Sequence, residues 1–296
     1  MKIRRIIFFL ITLQILLFPL LAQDYSNTTI ISVSQNPQVI KKINELNLDI
    51  LMFWQGRIYI ICNQQLNDLL KIKKAKIDYQ IETQKFYPFS TKEVNLQTSI
   101  NGDYHTYQEL EKDLMTLEEG FPDLAKLYSI GQSLENRNIY ALKISDNVSR
   151  DEDEAEVLFL GCHHAREWIS VEVPYLLAKY LVENYSQKPA IKTLVDYSQI
   201  WIIPLLNPDG LEYSIHFYRY WRKNRRNNGD GSYGVDLNRN YSYKWGLDNE
   251  GSSPLSFSNV YRGKYPFSEP ETQAVRDLCS TRKFQALISY HNYSQV

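Results

Sequence analysis

The chain has 296 residues, enough for one large domain or two unequal ones, and its 44% hydrophobic and 23% charged residues are ordinary for a globular protein. Its 33 basic and 34 acidic residues nearly cancel, so charge gives no reason to expect a nucleic-acid partner. Three cysteines exclude a disulfide scaffold, although a bridge between Cys162 and Cys279 stays open.

Residues 1–22 have the layout of a secretory signal peptide. Basic residues precede an apolar run over 6–21, and Ala22 follows it. An uncleaved membrane anchor is the alternative, because the run is near the lower limit for a span. No second apolar run of this length follows. We therefore expect a secreted or luminal protein without stable membrane association once the signal is removed.

The pattern of apolar and turn residues over 23–86 predicts a small ferredoxin-like α+β domain of order βαββαβ. Asn36 and Pro37 are placed to open its first helix, and Gln55-Gly56 is a hairpin signal between two β-rich runs. A small α+β domain of another topology is the plainer interpretation. Residues 87–102 lack periodicity and contain Pro88 with several Ser and Thr, which is typical of a linker open to proteolysis.

The remaining residues, 103–296, alternate strands and helices, which favours an α/β layer fold. Thr106 and Glu109 form a capping-box signature before a helix that Gly120 and Pro122 end. Two strands, 124–130 and 138–144, are predicted with a turn near Gly131. A later apolar strand ends in the turn Asn207-Pro-Asp-Gly210.

The most informative stretch follows a short predicted strand, Val157 to Leu160, which stops at Gly161. His163, His164, Arg166 and Glu167 come next. Loops beyond the carboxyl end of a strand present active sites in α/β sheets, and an imidazole with a carboxylate suits zinc. A lone His-x-x-Glu pair is weak evidence for a metal site, and His163 can equally be interpreted as an ordinary polar loop residue. The helix that follows is predicted to share one apolar face among Val173, Leu176, Leu177, Tyr180 and Leu181.

Two further polar clusters lie downstream. In the first, Arg222, Arg225 and Arg226 are most simply interpreted as part of a solvated charged face. Asn238 beside Arg239 is suited to hold a carboxylate by charge-assisted hydrogen bonds.

The last predicted helix and strand precede one more histidine. Ser268 and Glu271 are predicted to cap the helix, and capping also explains Glu269. Beyond the strand Phe284–Ser289 comes His291, which could equally be a structural hydrogen bonder. His105 and His216 are interpreted as structural.

Five segments together resemble the zinc carboxypeptidases of the pancreatic carboxypeptidase A and B type, in order and in spacing. They are His164-Ala-Arg-Glu-Trp168, Asn207-Pro-Asp-Gly210, Trp221-Arg222, Val235-Asp-Leu-Asn-Arg-Asn240 and Ser289-Tyr-His291-Asn-Tyr293. The resemblance implies a mixed-sheet α/β/α carboxypeptidase-like domain over 103–296, preceded by an inhibitory pro-domain over 23–86. It also implies roles for eight residues: His164, Glu167 and His291 as ligands of one zinc ion, Arg222 as the group that polarises the scissile carbonyl, Asn238 and Arg239 as the grip on the terminal carboxylate, Arg166 as part of an adjoining subsite, and Asp236 as the carboxylate that orients His164.

The function that the resemblance implies is a zinc metallocarboxypeptidase precursor acting on peptide and protein C-termini. A protease that cuts the linker would activate it, and a monomer is expected. The alternative is a non-catalytic secreted peptide-binding or inhibitor-like protein. An endopeptidase is poorly supported, since the sequence contains no His-Glu-x-x-His segment.

The sequence ends at Val296, five residues after His291. The resemblance implies about another hundred residues, on the scale of a usual domain, with a general-base glutamate, a tyrosine and a specificity residue. We therefore expect a fragment of a longer enzyme. Two expectations follow: hydrolysis is impaired without a proton acceptor, and apolar surface is exposed around Phe284 to Ile288.

Overall fold

The computed structural model describes residues 29–46, 48–54, 57–62, 65–82 and 101–292. The chain divides into two units, Met1–Phe86 and Tyr87–Val296. The predicted signal peptide, the Gln55-Gly56 turn and nearly all of the linker lie outside the described residues. Among the described helices, none combines the length and apolar character that crossing a membrane requires.

The described residues of the first unit form a four-stranded antiparallel sheet with two helices. The elements are β1 (Thr29–Ser34), α1 (Pro37–Glu45), β2 (Asp49–Trp54), β3 (Arg57–Cys62), α2 (Gln65–Lys74) and β4 (Tyr79–Glu82). The strand order is β2-β3-β1-β4. Ile31 and Val33 of β1 alternate toward a core that Ile43 and Ile72 of the helices complete. The element order is the predicted one, whereas a role as a pro-domain stays a prediction.

The second unit has five strands and five α-helices within the described residues. They are α3 (Tyr107–Gly120), β5 (Ala125–Gln132), β6 (Asn138–Ile144), β7 (Ala155–Leu160), α4 (Ile169–Asn184), α5 (Pro189–Asp196), β8 (Ser198–Ile203), α6 (Pro208–His216), α7 (Pro270–Ser280) and β9 (Phe284–Ser289). The predicted capping box is present: Thr106 accepts from the Glu109 amide, and the Glu109 carboxylate accepts from Thr106.

These strands form one mixed sheet of order β5-β6-β8-β7-β9. β7 pairs in parallel with β8 and with β9, while β5, β6 and β8 pair antiparallel. Successive residues of β8 face opposite sides: Ile200 and Ile202 pack into the core that contains α3 and α4, and Trp201 and Ile203 pack toward α7. The predicted mixed-sheet α/β class is confirmed. Its parallel strands end together, which positions the site.

Two local predictions were wrong. β5 runs through Gly131, and the turn comes after it, at 133–137. Gly131 is needed within the strand because a Cβ there would lie 2.9 Å from the Ala274 Cβ on α7. In α4 the predicted face is largely the outer one, since Val173, Leu176 and Tyr180 are exposed.

The buried face of α4 contains Val171, Tyr175, Ala178, Leu181 and Val182. Only Leu181 belongs to both the predicted set and this one. The helix carries apolar residues on every side, so periodicity could not select the side that packs on the sheet.

Candidate metal centre

The chain turns sharply at Gly161, directly after β7. Its N–H donates to the Ile203 carbonyl at 2.8 Å, and its carbonyl accepts from the Leu206 N–H at 3.1 Å. A Cβ at this position would lie 2.2 Å from the Ser170 carbonyl oxygen and 2.4 Å from that of Pro204. Only glycine lets three backbone segments approach this closely. The turn therefore directs the following loop across the carboxyl ends of the parallel strands.

His164, Glu167 and His291 meet at this edge of the sheet. Nδ1 of His164 lies 2.7 Å from Oε1 of Glu167, and Nδ1 of His291 lies 2.9 Å from Oε2 of the same carboxylate. β9 brings His291 here, since it pairs with β7 up to Leu160 and Ser289, and the Tyr290 N–H donates to the Leu160 carbonyl at 2.8 Å. The two histidines thus share the Glu167 carboxylate, although His291 lies 124 residues beyond Glu167 in the sequence.

The donor set fits a zinc ion. One ligand atom from each of the three residues lies within 4.8 Å of the others. Two imidazoles and a carboxylate are the ligands of many catalytic zinc sites. Burial acts to raise the pKa of the Glu167 carboxyl, but hydrogen bonds from His164 and His291 outweigh it and hold this pKa far below its ordinary value. The carboxylate is therefore charged and available to a cation.

Asp236 supports the cluster from behind. It is fully buried, and its Oδ1 lies 3.2 Å from Nε2 of His164. Its Oδ2 accepts from Arg222 Nη2 at 2.8 Å and Nε at 3.1 Å. Burial opposes the charge of Asp236, yet the Arg222 guanidinium and His164 hold the pKa of this carboxyl far below its usual range. Asp236 therefore fixes the orientation of both neighbours.

Asn238 and Arg239 lie in a short 3₁₀ turn, Leu237–Arg239, that begins beside Asp236. Asn238 Nδ2 lies 3.3 Å from Nε2 of His291, which places its amide at the cluster. Arg239 donates to the Gly251 carbonyl at 2.6 Å and to its neighbour's carbonyl at 2.9 Å. Both residues line an open groove that continues past Tyr243 and Trp245. Arg166 is buried in the loop between His164 and Glu167.

Sequence reasoning missed the role of Asn207, which it had noted only as part of a turn. This side chain is fully buried, and its Nδ2 donates to the His163 carbonyl at 3.1 Å and to the Lys223 carbonyl at 3.2 Å. Its Oδ1 accepts from the Gly210 N–H at 3.0 Å. Asn207 thus joins the histidine loop to the segment that carries Arg222.

The prediction that Ser268 and Glu271 cap α7 was wrong. Glu269 is the N-terminal cap residue of this helix and makes no side-chain cap bond. Glu269 and Glu271 both turn inward, where Asn224 Nδ2 donates to each, at 2.8 and 3.2 Å. Burial and the nearby Glu269 charge raise the pKa of the Glu271 carboxyl to about 8. The two acids are thus parts of a buried polar cluster.

The other histidines have structural partners. His163 is buried, with Nε2 2.8 Å from the Tyr241 hydroxyl and Nδ1 3.1 Å from that of Ser289, and burial lowers its pKa to about 3. His105 contacts Glu172 and Asp113 at 2.7 and 3.2 Å. His216 lies 3.3 Å from Glu212. The three cysteines are free, so the Cys162–Cys279 bridge is not formed.

A mixed α/β sheet with two histidines and a glutamate gathered at its carboxyl edge places the chain among α/β proteins with a candidate zinc centre. The sequence profile of the zinc carboxypeptidases matches residues 110–296, and the chain belongs to this family. It is 33% identical over 238 residues to a zinc carboxypeptidase of Saccharothrix mutabilis subsp. capreolus, covering 77% of this chain and 55% of that protein. It is 34% identical over 198 residues to mouse carboxypeptidase A4, covering 66% and 46%.

Solved structures agree on the fold. Carboxypeptidase A from Helicoverpa armigera superposes with a TM-score of 0.71 at 24% identity, over 91% of this chain and 71% of that one. Bovine thrombin-activatable fibrinolysis inhibitor, in complex with tick carboxypeptidase inhibitor, gives a TM-score of 0.57 at 35% identity, over 65% and 62%. The chain spans about half the length of the first curated relatives, from 46% to 55%.

Proposed function

We propose that this protein is a zinc-dependent metallocarboxypeptidase that hydrolyses the C-terminal peptide bond of peptides and proteins. The observation that carries the proposal is the shared carboxylate of Glu167, which Nδ1 of His164 and Nδ1 of His291 approach to 2.7 and 2.9 Å. Zinc at these three side chains would supply a Lewis acid that polarises a carbonyl and lowers the pKa of a bound water. Membership of the zinc carboxypeptidase family supports the same metal.

The side chains around the ligands have separate tasks in this proposal. Asp236, 3.2 Å from Nε2 of His164, would accept a hydrogen bond from Nε2–H and so leave the Nδ1 lone pair for the metal. Arg222, held in a fixed orientation by Asp236, presents its Nη1 3.4 Å from Nδ1 of His164. A guanidinium there would stabilise negative charge that develops on the carbonyl oxygen.

Substrate selection rests on Asn238 and Arg239. Their amide and guanidinium would hold the terminal carboxylate through charge-assisted bonds, and Arg166 would contribute to an adjoining subsite. Because Asn238 also lies beside His291, a carboxylate bound to it would be at a fixed short distance from the ligand cluster. That spacing admits the last peptide bond of a chain and excludes internal ones.

The precursor organisation belongs to the same proposal. Residues 1–22 would direct secretion, residues 23–86 would be the pro-domain, and a protease would cut within 87–102 to release a monomeric enzyme. The basic and apolar pattern of the leader and the βαββαβ unit support this arrangement. N-terminal sequencing of the protein collected from culture medium, before and after trypsin, tests both cleavages.

The central experiment measures zinc content and peptide processing together. The purified chain is expected to retain one zinc per chain by mass spectrometry, and Glu167→Gln to lose it, while Glu183→Gln on the exposed side of α4 keeps it. Peptides with a free C-terminus are expected to lose their last residue, and amidated peptides to stay intact. Binding of the free peptide without shortening would favour the peptide-binding alternative, and absence of zinc would refute the metal assignment.

A further inference from the structure

Asn-x-Ser/Thr segments are the acceptor segments of N-linked glycosylation. The chain contains five of them, which begin at Asn27, Asn147, Asn184, Asn240 and Asn292. Asn27 lies outside the described residues, and the other four asparagines differ in burial and in the hydrogen bonds of their amides. A glycan is bulky and polar, so a folded chain accommodates it only at a surface asparagine.

Asn147 lies in the turn that follows β6, and its side chain is exposed. The Arg150 N–H donates to the Asn147 carbonyl at 2.8 Å, which closes the turn. Val148, the middle residue of the acceptor segment, is buried with 3% of its surface exposed, whereas Ser149 is exposed. The turn therefore presents at the surface the two residues that define the acceptor segment.

The amide of Asn147 is only loosely held. Its Nδ2 lies 3.4 Å from Oδ2 of Asp146 and 3.4 Å from Oε1 of Glu152. Ordinary N–H···O hydrogen bonds measure about 2.7–3.2 Å, so both contacts are long. A sugar can therefore replace one of the two amide hydrogens without leaving a buried polar group unpaired.

Asn240 has the opposite environment. It is fully buried, and its Nδ2 donates to the carbonyls of Arg262 and Tyr265 and to the Ser268 hydroxyl, at 2.9, 3.2 and 2.9 Å. Its Oδ1 accepts from the Thr272 hydroxyl at 2.7 Å. A sugar on this amide would disrupt the buried hydrogen bonds, so the folded chain excludes a glycan at Asn240.

The other two acceptor asparagines are less suited than Asn147. Asn184 is the last residue of α4, and its Nδ2 donates to the Tyr180 carbonyl at 2.9 Å. Asn292 directly follows His291, and its N–H donates to Oε2 of Glu167 at 3.3 Å. A glycan at Asn292 would therefore stand beside the candidate zinc ligands.

The turn after β6 is distant from those ligands. β6 runs antiparallel to β8 and β7 runs parallel to it, so β6 ends at the edge of the sheet where β7 begins. β7 has six residues, so about 20 Å of strand separates this edge from the histidine loop at about 3.3 Å per residue. A glycan at Asn147 would leave the histidine loop uncovered.

We propose that Asn147 carries an N-linked oligosaccharide. This rests on the proposed function, since it requires translocation into the secretory pathway, where a membrane glycosyltransferase uses a lipid pyrophosphate-linked oligosaccharide. Nδ2 of Asn147 attacks C1 of the first sugar, so that an Nδ2–C1 bond forms and the bond from C1 to the pyrophosphate oxygen breaks. The lipid pyrophosphate leaves with the electron pair, and Nδ2 gives one of its two protons to a base on the transferase.

Expression in a eukaryotic secretory host tests the proposal without reference to activity. Two forms are compared, one with residues 1–22 and one with these residues replaced by the host's own signal sequence. Protein is recovered from the medium and from the secretory lumen, treated with peptide N-glycosidase in heavy-oxygen water, and digested for mass spectrometry. Behind the host signal, most copies of the peptide that contains Asn147 are expected to gain the heavy-oxygen label of a removed glycan.

Four variants sharpen the test. Asn147→Gln and Ser149→Ala should each abolish the label on this peptide and raise the mobility of the intact protein by one glycan. Ser149→Thr keeps an acceptor segment and should keep the label. Asn184→Gln, in the acceptor segment at the end of α4, is the matched control and should leave the label of the Asn147 peptide unchanged.

An unlabelled Asn147 peptide behind the host signal would overturn the proposal, as would a label that persists in Ser149→Ala. Labelling behind the host signal but not behind residues 1–22 would support glycosylation of Asn147 and would refute the proposed secretion signal instead. A glycan at Asn240 in the folded, secreted protein would also overturn the proposal, because burial would then not select among the acceptor segments.

Discussion

The Asp236 carboxylate lies on the far side of the His164 ring from Glu167: its Oδ1 is 3.2 Å from Nε2, while Nδ1 faces Glu167 at 2.7 Å. One imidazole thus connects a buried acid to the candidate metal position. The same acid holds Arg222 through its other oxygen. The orientation of a ligand and of the proposed oxyanion group therefore depends on a single side chain.

Asp236→Asn is expected to weaken zinc binding by about 10- to 100-fold, the usual effect of removing such a supporting carboxylate. The amide keeps the shape but no longer holds His164 in the required tautomer. Competition with a chromogenic chelator measures the affinity. Asp123→Asn, an exposed substitution before β5, serves as the control and should bind zinc normally. Equal affinities in the two variants would show that Asp236 does not support the metal.

Arg239→Gln is expected to reduce the affinity for peptides with a free C-terminus by about 10- to 100-fold, because hydrogen bonds to charged groups contribute about 1.5–3 kcal/mol. Binding of the matching amidated peptides should stay unchanged. Fluorescence anisotropy with labelled peptide pairs gives both constants. Arg276→Gln on the exposed side of α7 is the matched control. A loss of the same size for both peptide forms would contradict a carboxylate grip.

Asn207→Ala is expected to lower the free energy of unfolding by about 1–3 kcal/mol for each buried carbonyl left without its donor. It removes the hydrogen bonds to the His163 and Lys223 carbonyls. Zinc affinity should fall as well, since the histidine loop loses its attachment. Urea unfolding and chelator competition provide the two measurements. Asn184→Ala, at the exposed end of α4, should change neither, and an unchanged zinc affinity in Asn207→Ala would refute the positioning role.

Glu271 makes stability depend on pH. Burial raises the pKa of its carboxyl from 4.5 to about 8, so the folded protein retains a proton that the unfolded chain releases. The contribution of this proton to the free energy of unfolding should therefore be fully present below about pH 4.5. It should be lost as the pH rises to 8, by about 1.4 kcal/mol per pH unit at most. Glu271→Gln removes this pH dependence, so the variant should become more stable relative to the unaltered chain as the pH rises from 5 to 8.

Urea unfolding of both proteins at several pH values measures that difference. Other titrating groups contribute equally to the two curves and cancel in the comparison. Glu119→Gln should follow the unaltered chain throughout. Parallel curves for Glu271→Gln and the unaltered chain would mean that Glu271 is already ionised in the folded protein.

Local chemistry made parts of the fold predictable. The capping box at Thr106 depends on two residues three apart, and the structure contains it. The strand that precedes His164, and the loop that follows this strand, could be predicted from an apolar run that ends at a glycine. The strand order of the sheet could not be read in this way, because β7 pairs with β8 and β9, which are distant in sequence.

The remaining errors arose where local signals were ambiguous. α4 is apolar on all sides, so its packed face is decided by the sheet and not by the helix. Glu269 and Glu271 stand where capping acids stand, yet Asn224, 45 and 47 residues away, draws both inward. Asn207 gave no sequence signal beyond a turn, because its partners are main-chain carbonyls.

The position of β9 has a consequence for metal retention. This strand lies at the margin of the described sheet, pairs with β7 alone, and exposes about half of Leu287 and of Ile288. Local opening begins in weakly packed segments, and β9 ends two residues before His291. A change that detached β9 from β7 would therefore also separate His291 from Glu167, so the pairing of these two strands is a condition for assembling the three candidate ligands.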